Sequence, residues 1–417
     1  MKKLFLIDDT LGNKISYYHA LLFLVFLPFD RFYSQLVLIS FTLHTIIHLK
    51  KHLARSIISR PVIVLTAIYF LNLIGLLYSV DITQGLKDIE KQLAILLFPA
   101  IFSVNELDLN KYKKNLLQIF ALTCTITILY LYFDAFRIIQ YNRLPFSSLF
   151  TNAFINQNFS SSIDLHATYL SMYVALSLTF FLYLILHETI FWKRILFGAA
   201  ALICVAGLFQ LSSRAVFISV ILIVTFILPF FLLKGVKRLK VIIITSLIII
   251  AAIFSLTRIG VFKERMVTSL KSDLDPNVVH TELYESRAVR WKCAWELIRG
   301  SPVLGYGSGS EIKLLKEKYF EKKLFGSYLN ELNAHNQYLS FFIKYGIVGL
   351  TLYLFTLSYG FMHAWKSKDP VFFSFLVLVA VVSLSENILD VNKGIFFYSF
   401  FLSFFIFANM READGKK

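Results

Sequence analysis

The sequence predicts an all-α polytopic membrane protein, and three observations lead to this fold class. The 417 residues are 57% hydrophobic and only 16% charged, with a mean hydropathy of +0.67, whereas soluble domains have roughly 45–50% apolar and about 25% charged residues. Apolar runs reach 18–20 residues, which suits membrane-crossing helices and exceeds the short alternating segments of a barrel. This composition excludes a soluble enzyme, a disordered chain and a disulfide scaffold.

Twelve apolar segments are predicted to cross the membrane as helices, because each approaches the length of about 20 residues that a bilayer requires. The first and fourth are short, so their ends are the least well defined. The segments cover residues 15–29, 33–49, 62–80, 92–104, 116–136, 167–186, 195–211, 215–233, 241–257, 338–360, 371–385 and 395–409. They divide the chain into spans one to nine (residues 1–257), a large loop (258–336) and spans ten to twelve (337–417).

The distribution of positive charge predicts the orientation of these spans. With a cytoplasmic N-terminus, 21 Lys and Arg residues fall on the cytoplasmic side and seven fall in the short loops of the opposite side. The large loop is left out of this comparison because long loops cross the membrane largely regardless of charge. We therefore expect both termini in the cytoplasm and the large loop outside it, and the net charge of +16 does not indicate a nucleic-acid partner.

The large loop contains a segment with the pattern of a helix, residues 284–299, which Gly300 and Pro302 end. At about 100° per residue, one face is an apolar stripe that Arg287 and Arg290 extend by one turn. The predicted stripe consists of Trp291, Ala294, Trp295 and Ile298, and the predicted solvated face of Lys292, Glu296 and Arg299. The two arginines are interpreted either as snorkelling or lipid-bound residues or as a clamp for a diphosphate, which guanidinium groups bind in bidentate fashion.

Three further groups on the outer side are candidates for the site. His335 precedes span ten, and it is either an interfacial anchor or a general base, because imidazole titrates near neutral pH. Arg214, between spans seven and eight, is either a snorkelling residue or an anion ligand. His166 is either the cap of span six or a member of the site.

Span ten itself carries further candidates. Lys344 is a functional candidate because ionisable groups inside membranes usually are, although a structural partner is the favoured interpretation. Gly346 and Gly349 form a small-residue face that would let another helix approach closely. The glycine-rich run 302–309 is typical of a turn.

Residues 286–309 and 335–349 resemble the O-antigen ligase and polymerase superfamily of bacterial inner-membrane proteins. The resemblance rests on Arg287-xxx-Trp291, on Pro302-Val-Leu-Gly-Tyr-Gly, and on His335-Asn336 followed after nine residues by Gly346-Ile-Val-Gly349. Two positions depart from the ligase patterns. Leu350 stands where the family usually has Gly, Thr or Tyr, and Ile218 stands where it has Leu after Arg-xxx.

The resemblance implies a glycosyltransferase-C-like fold and a metal-independent, inverting reaction without a cofactor. The donor is a glycan on undecaprenyl diphosphate, and the acceptor is a lipid A–core sugar for a ligase or another glycan for a polymerase. His335 would be the base, Arg214 and Arg287 would bind the diphosphate with Arg290 in reserve, and Asn336, Trp291, Gly346, Gly349, His166 and Lys344 would support them. A flippase or transporter remains a third alternative, and nothing in the sequence indicates the oligomeric state.

Overall fold

The computed structural model describes residues 2–29, 31–256, 258, 260–274 and 285–414, and every regular element in these ranges is helical. Each of the twelve predicted segments coincides with a helix or with consecutive helical pieces. These helices are Leu11–Phe26, Arg31–Ile47, Arg60–Gly75, Ile82–Val104, Leu109–Tyr141, Ala167–His187, Phe191–Leu211, Arg214–Leu222 with its continuation to Leu232, Gly235–Leu256, Gln337–Lys366, Pro370–Val382 and Asn392–Asp414. The all-helical class is therefore confirmed.

The helices that are long and apolar enough to cross a membrane are fewer than the twelve predicted spans. Within the described residues, eight helices are long and apolar enough to cross, and a ninth results if the pair Phe32–Ile47 and Lys51–Ile58, bent by 119°, forms one span. The helix Pro370–Val382 is only 13 residues long. Ile82–Val104 is long, but its first half carries four charged residues, Lys87, Asp88, Glu90 and Lys91. The count of twelve crossings thus stays a prediction.

Side-chain caps show why several helices begin where they do. Asp108 accepts hydrogen bonds from the N–H groups of Asn110 and Lys111, and Asp369 caps Pro370–Val382 in the same way. Such caps satisfy N–H groups that have no partner in the first turn of a helix. The fifth predicted span began at residue 116 and so lacked the first turns of Leu109–Tyr141, because those turns are polar and hydropathy does not count them.

The centre of the protein is an aromatic core around the last long helix. In that helix, 94% of the apolar window Asn392–Met410 is buried inside the protein. The rings of Phe23, Phe98 and Phe400 lie with centroids 4.8–5.2 Å apart, a separation at which aromatic rings attract one another. The helix Gly235–Leu256 is the opposite case, since none of its apolar window is buried by the protein.

The helix Gln337–Lys366, which we call the broken helix, is interrupted at Gly346, where φ is 61° and ψ is −155°. The glycine-rich segment 302–309, which we call the wedge segment, fills the break. The N–H groups of Tyr306 and Gly307 donate to the carbonyls of Ile343 (3.0 Å) and Lys344 (2.8 Å), and Ile347 N–H donates to the carbonyl of Pro302 (2.9 Å). The wedge segment therefore satisfies backbone groups that the break leaves unpaired.

The predicted large loop is mostly helical where the structure describes it. Its elements are Gly260–Lys263, Ser269–Leu274, Arg287–Gly300, Ser310–Glu321 and Phe325–Leu329, with a π-helical segment at Glu264–Thr268. Shorter elements elsewhere are Lys2–Phe5, Lys51–Ala54, Arg55–Ile58, Leu76–Tyr78, Phe146–Phe150, Asn152–Phe154, Gln157–Ser160, Ser161–Ile163, Ile223–Ile227 (π-helical) and Ile388–Asp390. The position of the large loop relative to a membrane stays a prediction.

The helix predicted at 284–299 is observed as Arg287–Gly300, which we call the loop helix, with Ser286 as its cap. Residue 284 lies outside the described residues. The predicted stripe was partly wrong, because Trp295 is 48% exposed, although Ala294 and Ile298 are buried. The buried face is instead centred on Arg290, Cys293, Ala294, Leu297 and Ile298. Lys292 and Arg299 are exposed, as predicted.

Candidate active site

The backbone around His335 is held by several hydrogen bonds from neighbouring segments. His335 adopts a left-handed conformation with φ 46°, which residues other than glycine rarely occupy and which costs about 1–3 kcal/mol. The N–H groups of the two flanking residues bind other parts of the chain. Ala334 N–H donates to Glu311 Oε1 (3.0 Å), and Asn336 N–H donates to Asn387 Oδ1 (2.8 Å). These contacts hold a conformation that the isolated segment would disfavour.

Asn336 and Glu311 connect this turn to the broken helix. The side chain of Asn336 caps the helix by accepting hydrogen bonds from Tyr338 N–H (3.0 Å) and Leu339 N–H (3.2 Å). Glu311 is only 1% exposed, and its carboxylate also accepts from Ser340 Oγ and from Asn387 Nδ2 (3.2 Å). His335 is thus positioned by a buried polar network and not only by its own chain neighbours.

The side chain of His335 contacts Glu386, which directly follows the eleventh predicted span. His335 Nδ1 lies 3.4 Å from Glu386 Oε2. The other oxygen of this carboxylate, Oε1, lies 3.9 Å from Arg287 Nη2, and Arg287 Nη1 donates to the carbonyl of Ser385 (2.9 Å). The side chain of His335 is 30% exposed and that of Arg287 is 21% exposed, so a ligand can reach both groups.

Electrostatics keep Glu386 charged in this cluster. Burial alone would raise the pKa of Glu386, but the hydrogen bond with His335 and the nearby positive charges of His335 and Arg287 outweigh burial and lower the pKa below its ordinary value. A carboxylate accepts hydrogen bonds and donates none. In neutral His335, the proton therefore lies on Nδ1, and Nε2 is left with a free lone pair.

Arg290 and Trp291 support the residues that precede His335. Arg290 is 4% exposed, and its Nη1 donates to the carbonyl of Asn333 (3.3 Å). Trp291 Nε1 donates to the carbonyl of Ala334 (2.8 Å). Burial lowers the pKa of Arg290, but guanidinium groups remain charged at physiological pH. Arg290 Nε is buried and has no hydrogen-bond partner among the described residues.

Arg214 belongs to the same neighbourhood through Asp273. Arg214 Nη2 forms an ion pair with Asp273 Oδ2, and the charge of Asp273 also acts on Arg290. Arg214 Nη1 is buried without a hydrogen-bond partner in the described part of the chain. Buried unpaired donors are rare, so an unpaired guanidinium nitrogen on Arg214 and another on Arg290 mark a place where an anion would be stabilised.

His166 lies at the edge of this cluster. It precedes the helix Ala167–His187, and its Nδ1 accepts a hydrogen bond from Thr168 N–H (3.3 Å). The charges of Glu386, His335 and Arg287 all act on its imidazole. The capping interpretation of His166 is therefore confirmed, and the structure also brings it near the predicted base.

Lys344 lies deeper and is paired with two carboxylates. Its ammonium group lies 2.8 Å from Asp390 Oδ1 and 3.6 Å from Glu311 Oε2, and its side chain is 6% exposed. The structural interpretation of Lys344 is thereby confirmed. Because Lys344 partly neutralises Glu311, it stabilises the network that positions His335, while its own ammonium group is too buried to meet a substrate.

The two glycines of the broken helix differ from the expectation that another helix approaches them. A Cβ added at Gly346 would lie 2.1 Å from the carbonyl oxygen of Val303, so the close neighbour is the backbone of the wedge segment. A Cβ added at Gly349 would meet Tyr345, one turn earlier in its own helix. Gly346 therefore accommodates a loop, and Gly349 accommodates a side chain of its own helix.

Sequence reasoning missed Glu386, Asn387 and Glu311 as partners of His335. Glu386 and Asn387 follow the eleventh predicted span and are therefore predicted on the same side of the membrane as His335. This shared side is the feature of the sequence that could have connected them. Glu386 is 51 residues from His335 along the chain, and nothing in local spacing links the two. Glu311 is one of ten acidic residues in the predicted large loop, and its neighbours in the sequence do not distinguish it from the others.

Comparison with known proteins shows a similarity to one family over part of the chain. Residues 199–354 match the family model described as O-Antigen ligase, and this range contains Arg214, Arg287 and His335. A Haemophilus influenzae protein described as uncharacterized is 29% identical over 255 residues, which are 56% of this chain and 63% of that protein. The chain thus covers less than two thirds of the length of that relative. Together with its apolar helices, the family match identifies a multi-pass membrane protein. The part of the chain that contains the three candidate residues is therefore similar to the O-antigen ligase family.

Proposed function

We propose that this protein is an O-antigen ligase that transfers a glycan from undecaprenyl diphosphate to a sugar of lipid A–core. The observation that carries the proposal is the contact of His335 with Glu386, whose second carboxylate oxygen faces Arg287. This arrangement supplies a base and a cation at one partly exposed place, and both lie within the range that matches the family. Group transfer from a diphosphate needs both functions.

In the proposed reaction, His335 Nε2 accepts the proton of the acceptor hydroxyl. The hydroxyl oxygen then bonds to the anomeric carbon of the donor glycan from the face opposite the diphosphate, so the configuration inverts. The bond between that carbon and the diphosphate oxygen breaks, and its electron pair leaves with undecaprenyl diphosphate. Glu386 stabilises the imidazolium that forms on His335.

The leaving diphosphate is the point at which negative charge develops, and the proposal assigns it to the arginines. Arg287 reaches it from the loop helix and Arg214 from the start of the helix Arg214–Leu222. Arg290, which is buried beneath them, contributes positive charge as the reserve residue. Arginine suits this role because it stays charged and forms paired contacts with phosphate oxygens.

The proposal places the protein in the bacterial inner membrane, with the reaction on the periplasmic face. The positive-inside pattern supports cytoplasmic termini, and the candidate residues then share the opposite side. Membrane lipids, the lipid-linked glycan and lipid A–core are the proposed partners. The bond energy is already stored in the sugar–diphosphate linkage, so the periplasmic reaction needs no nucleotide.

Deletion of the protein and analysis of the surface polysaccharide test the ligase assignment. We expect lipid A–core without long chains, with polymer accumulating on undecaprenyl diphosphate. A single repeat unit persisting on lipid A–core would indicate a polymerase instead. Retention of unpolymerised precursor in the inner leaflet would indicate a flippase.

Complementation with His335→Ala tests the assignment of the base. We expect this variant to insert into the membrane and bind the donor but to restore no transfer, because no other group replaces the base. His52→Ala is the matched control, since His52 is an exposed histidine on the predicted cytoplasmic side. Near-normal transfer by His335→Ala would show that His335 is not the base.

A further inference from the structure

We propose that a polar pocket beside Arg214 is a subsite for one neutral pyranose unit of the donor glycan. The inference rests on the proposed function for the identity of the donor, but the pocket is a separate observation. It has a volume of about 260 Å³ and is lined chiefly by Asn152, Asn156, Gln157, Asn158, Glu264 and Ser269. Pockets for drug-sized ligands are about 300–1,000 Å³, so this one suits a single sugar ring and not an extended chain.

The pocket is tied to the segments that carry Arg214 and His166. Asn156 N–H donates to the carbonyl of Gln210 (2.8 Å), and Asn156 Nδ2 donates to the carbonyl of Leu211 (3.0 Å), three residues before Arg214. On another wall, Ser269 begins the helix Ser269–Leu274, which contains Asp273, the ion-pair partner of Arg214. A diphosphate on Arg214 would therefore place its attached sugar beside this pocket.

A second connection leads toward the cluster around His335. The side-chain oxygen of Gln157 accepts a hydrogen bond from Ala167 N–H (3.1 Å), the residue after His166. The charges of His335 and Glu386 act on His166. The pocket thus adjoins both the proposed diphosphate ligand and the edge of the proposed catalytic cluster.

The lining side chains have the chemistry of a site for hydroxyl groups. Asn158 Nδ2 donates to the carbonyl of Asn152 (2.8 Å), so one end of its amide is fixed, as it is in Asn156 and Gln157. The opposite ends, Asn156 Oδ1, Gln157 Nε2 and Asn158 Oδ1, make no hydrogen bond within the described residues. Sugar hydroxyls both donate and accept, so a pyranose can pair with oriented amides of both kinds.

The backbone supports a functional interpretation of this pocket. Asn156 has φ 59° and ψ −126°, a conformation that is costly for any residue other than glycine. Its two hydrogen bonds to Gln210 and Leu211 hold it there. Strained residues that are fixed by their surroundings are concentrated at ligand sites, and this one places its side chain in the pocket wall.

Glu264 determines the charge of the sugar that the pocket takes. Its exposed carboxylate lines the pocket. Carboxylates accept two hydroxyl hydrogen bonds and repel other carboxylates. The pocket is therefore expected to bind neutral sugars and to exclude uronic acids.

Direct binding to the purified full-length protein in detergent tests the subsite without requiring transfer activity. Saturation-transfer difference NMR would use the methyl glycosides of glucose, galactose and N-acetylglucosamine, with methyl glucuronide as the anionic probe. At least one neutral glycoside is expected to bind. Asn152→Ala should weaken it at least threefold, whereas Glu264→Gln should admit methyl glucuronide. The matched control is Gln140→Ala, an exposed amide on the same predicted side but outside the pocket.

The outcomes separate the subsite from the proposed function. Equal binding of neutral and anionic glycosides by the native protein, or no binding of any, would overturn the subsite even where His335-dependent transfer is observed. Neutral-sugar binding that is lost in Asn152→Ala, in a protein that performs no transfer, would keep the subsite and refute the ligase assignment. Loss of binding in Gln140→Ala to the same extent would show that the signal does not come from the pocket.

Discussion

Replacing Gly346 by alanine is expected to disrupt the contact between the wedge segment and the broken helix. The added Cβ would lie 2.1 Å from the carbonyl oxygen and 2.2 Å from the carbonyl carbon of Val303. Both are backbone atoms, so no flexible side chain can move aside. Either the wedge segment must withdraw or the helix must straighten at Gly346.

The cost follows from the contacts that either movement breaks. The three hydrogen bonds that join the wedge segment to the broken helix contribute about 1 kcal/mol each. Retaining φ 61° and ψ −155° with an alanine costs a further 1–3 kcal/mol or so. The expected destabilisation is therefore about 4–6 kcal/mol, equivalent to a roughly thousand- to ten-thousand-fold change in the folding equilibrium.

The assay is the fraction of full-length protein that remains monodisperse in detergent after heating, followed by fluorescence-detected size-exclusion chromatography. Gly198→Ala is the matched control, because Gly198 lies within the helix Phe191–Leu211 and a Cβ there would meet no atom within 4 Å. That control should be neutral or stabilised by about 1 kcal/mol. Equal heat stability of the two variants would refute the reasoning about the break.

Three other predictions concern the site. Arg287→Lys should retain less than about a tenth of the transfer activity, because a point charge cannot reproduce a bidentate contact. Lys292→Ala, on the exposed face of the same helix, is the control and should remain active. Equal activities of the two variants in a complementation assay would contradict this prediction. Glu311→Gln should lower the free energy of unfolding by about 1–3 kcal/mol. The control Glu317→Gln, at an exposed position, should leave it unchanged. Identical melting curves for the two variants would show that the buried network around Glu311 does not stabilise the protein. Because the pKa of Glu386 is held below its ordinary value of 4.5, its contribution to stability is present above that pH and is lost as the pH falls through the lowered value. The stability difference between the native protein and Glu386→Gln should therefore shrink on acidification. A difference that grows would show that the charged form of Glu386 does not stabilise the fold.

Hydropathy predicted the helices well because a helix in lipid must be apolar along its length. It was less informative about crossings, as Ile82–Val104 shows, since Asp88 in its charged first half is buried and bonded within the protein. Asp88 binds Gln84 and Lys91 through its carboxylate. Burial of such groups depends on neighbouring helices, which the sequence of one segment does not specify.

Helical periodicity gave the correct region for the loop helix but a shifted buried face. It placed Trp295 in the core together with Arg290, whereas the structure leaves Trp295 48% exposed and buries only Arg290 of the two. An arginine is usually assigned to solvent, but the carbonyl of Asn333 supplies it with a buried acceptor. That acceptor lies 43 residues away along the chain, so the periodicity of the loop helix does not reveal it.

The sequence by itself determined the helical class, the predicted orientation, and the residues His335, Arg287 and Arg214 as candidates, because apolar length, charge distribution and short motifs are properties of consecutive residues. Only the tertiary structure decided that Glu386 meets His335, that Glu311 and Asn387 hold the backbone of the residues beside it, and that Gly346 receives the wedge segment. These contacts join segments far apart in the chain. Their energies depend on distance, burial and hydrogen-bond geometry, which exist only after the helices have packed.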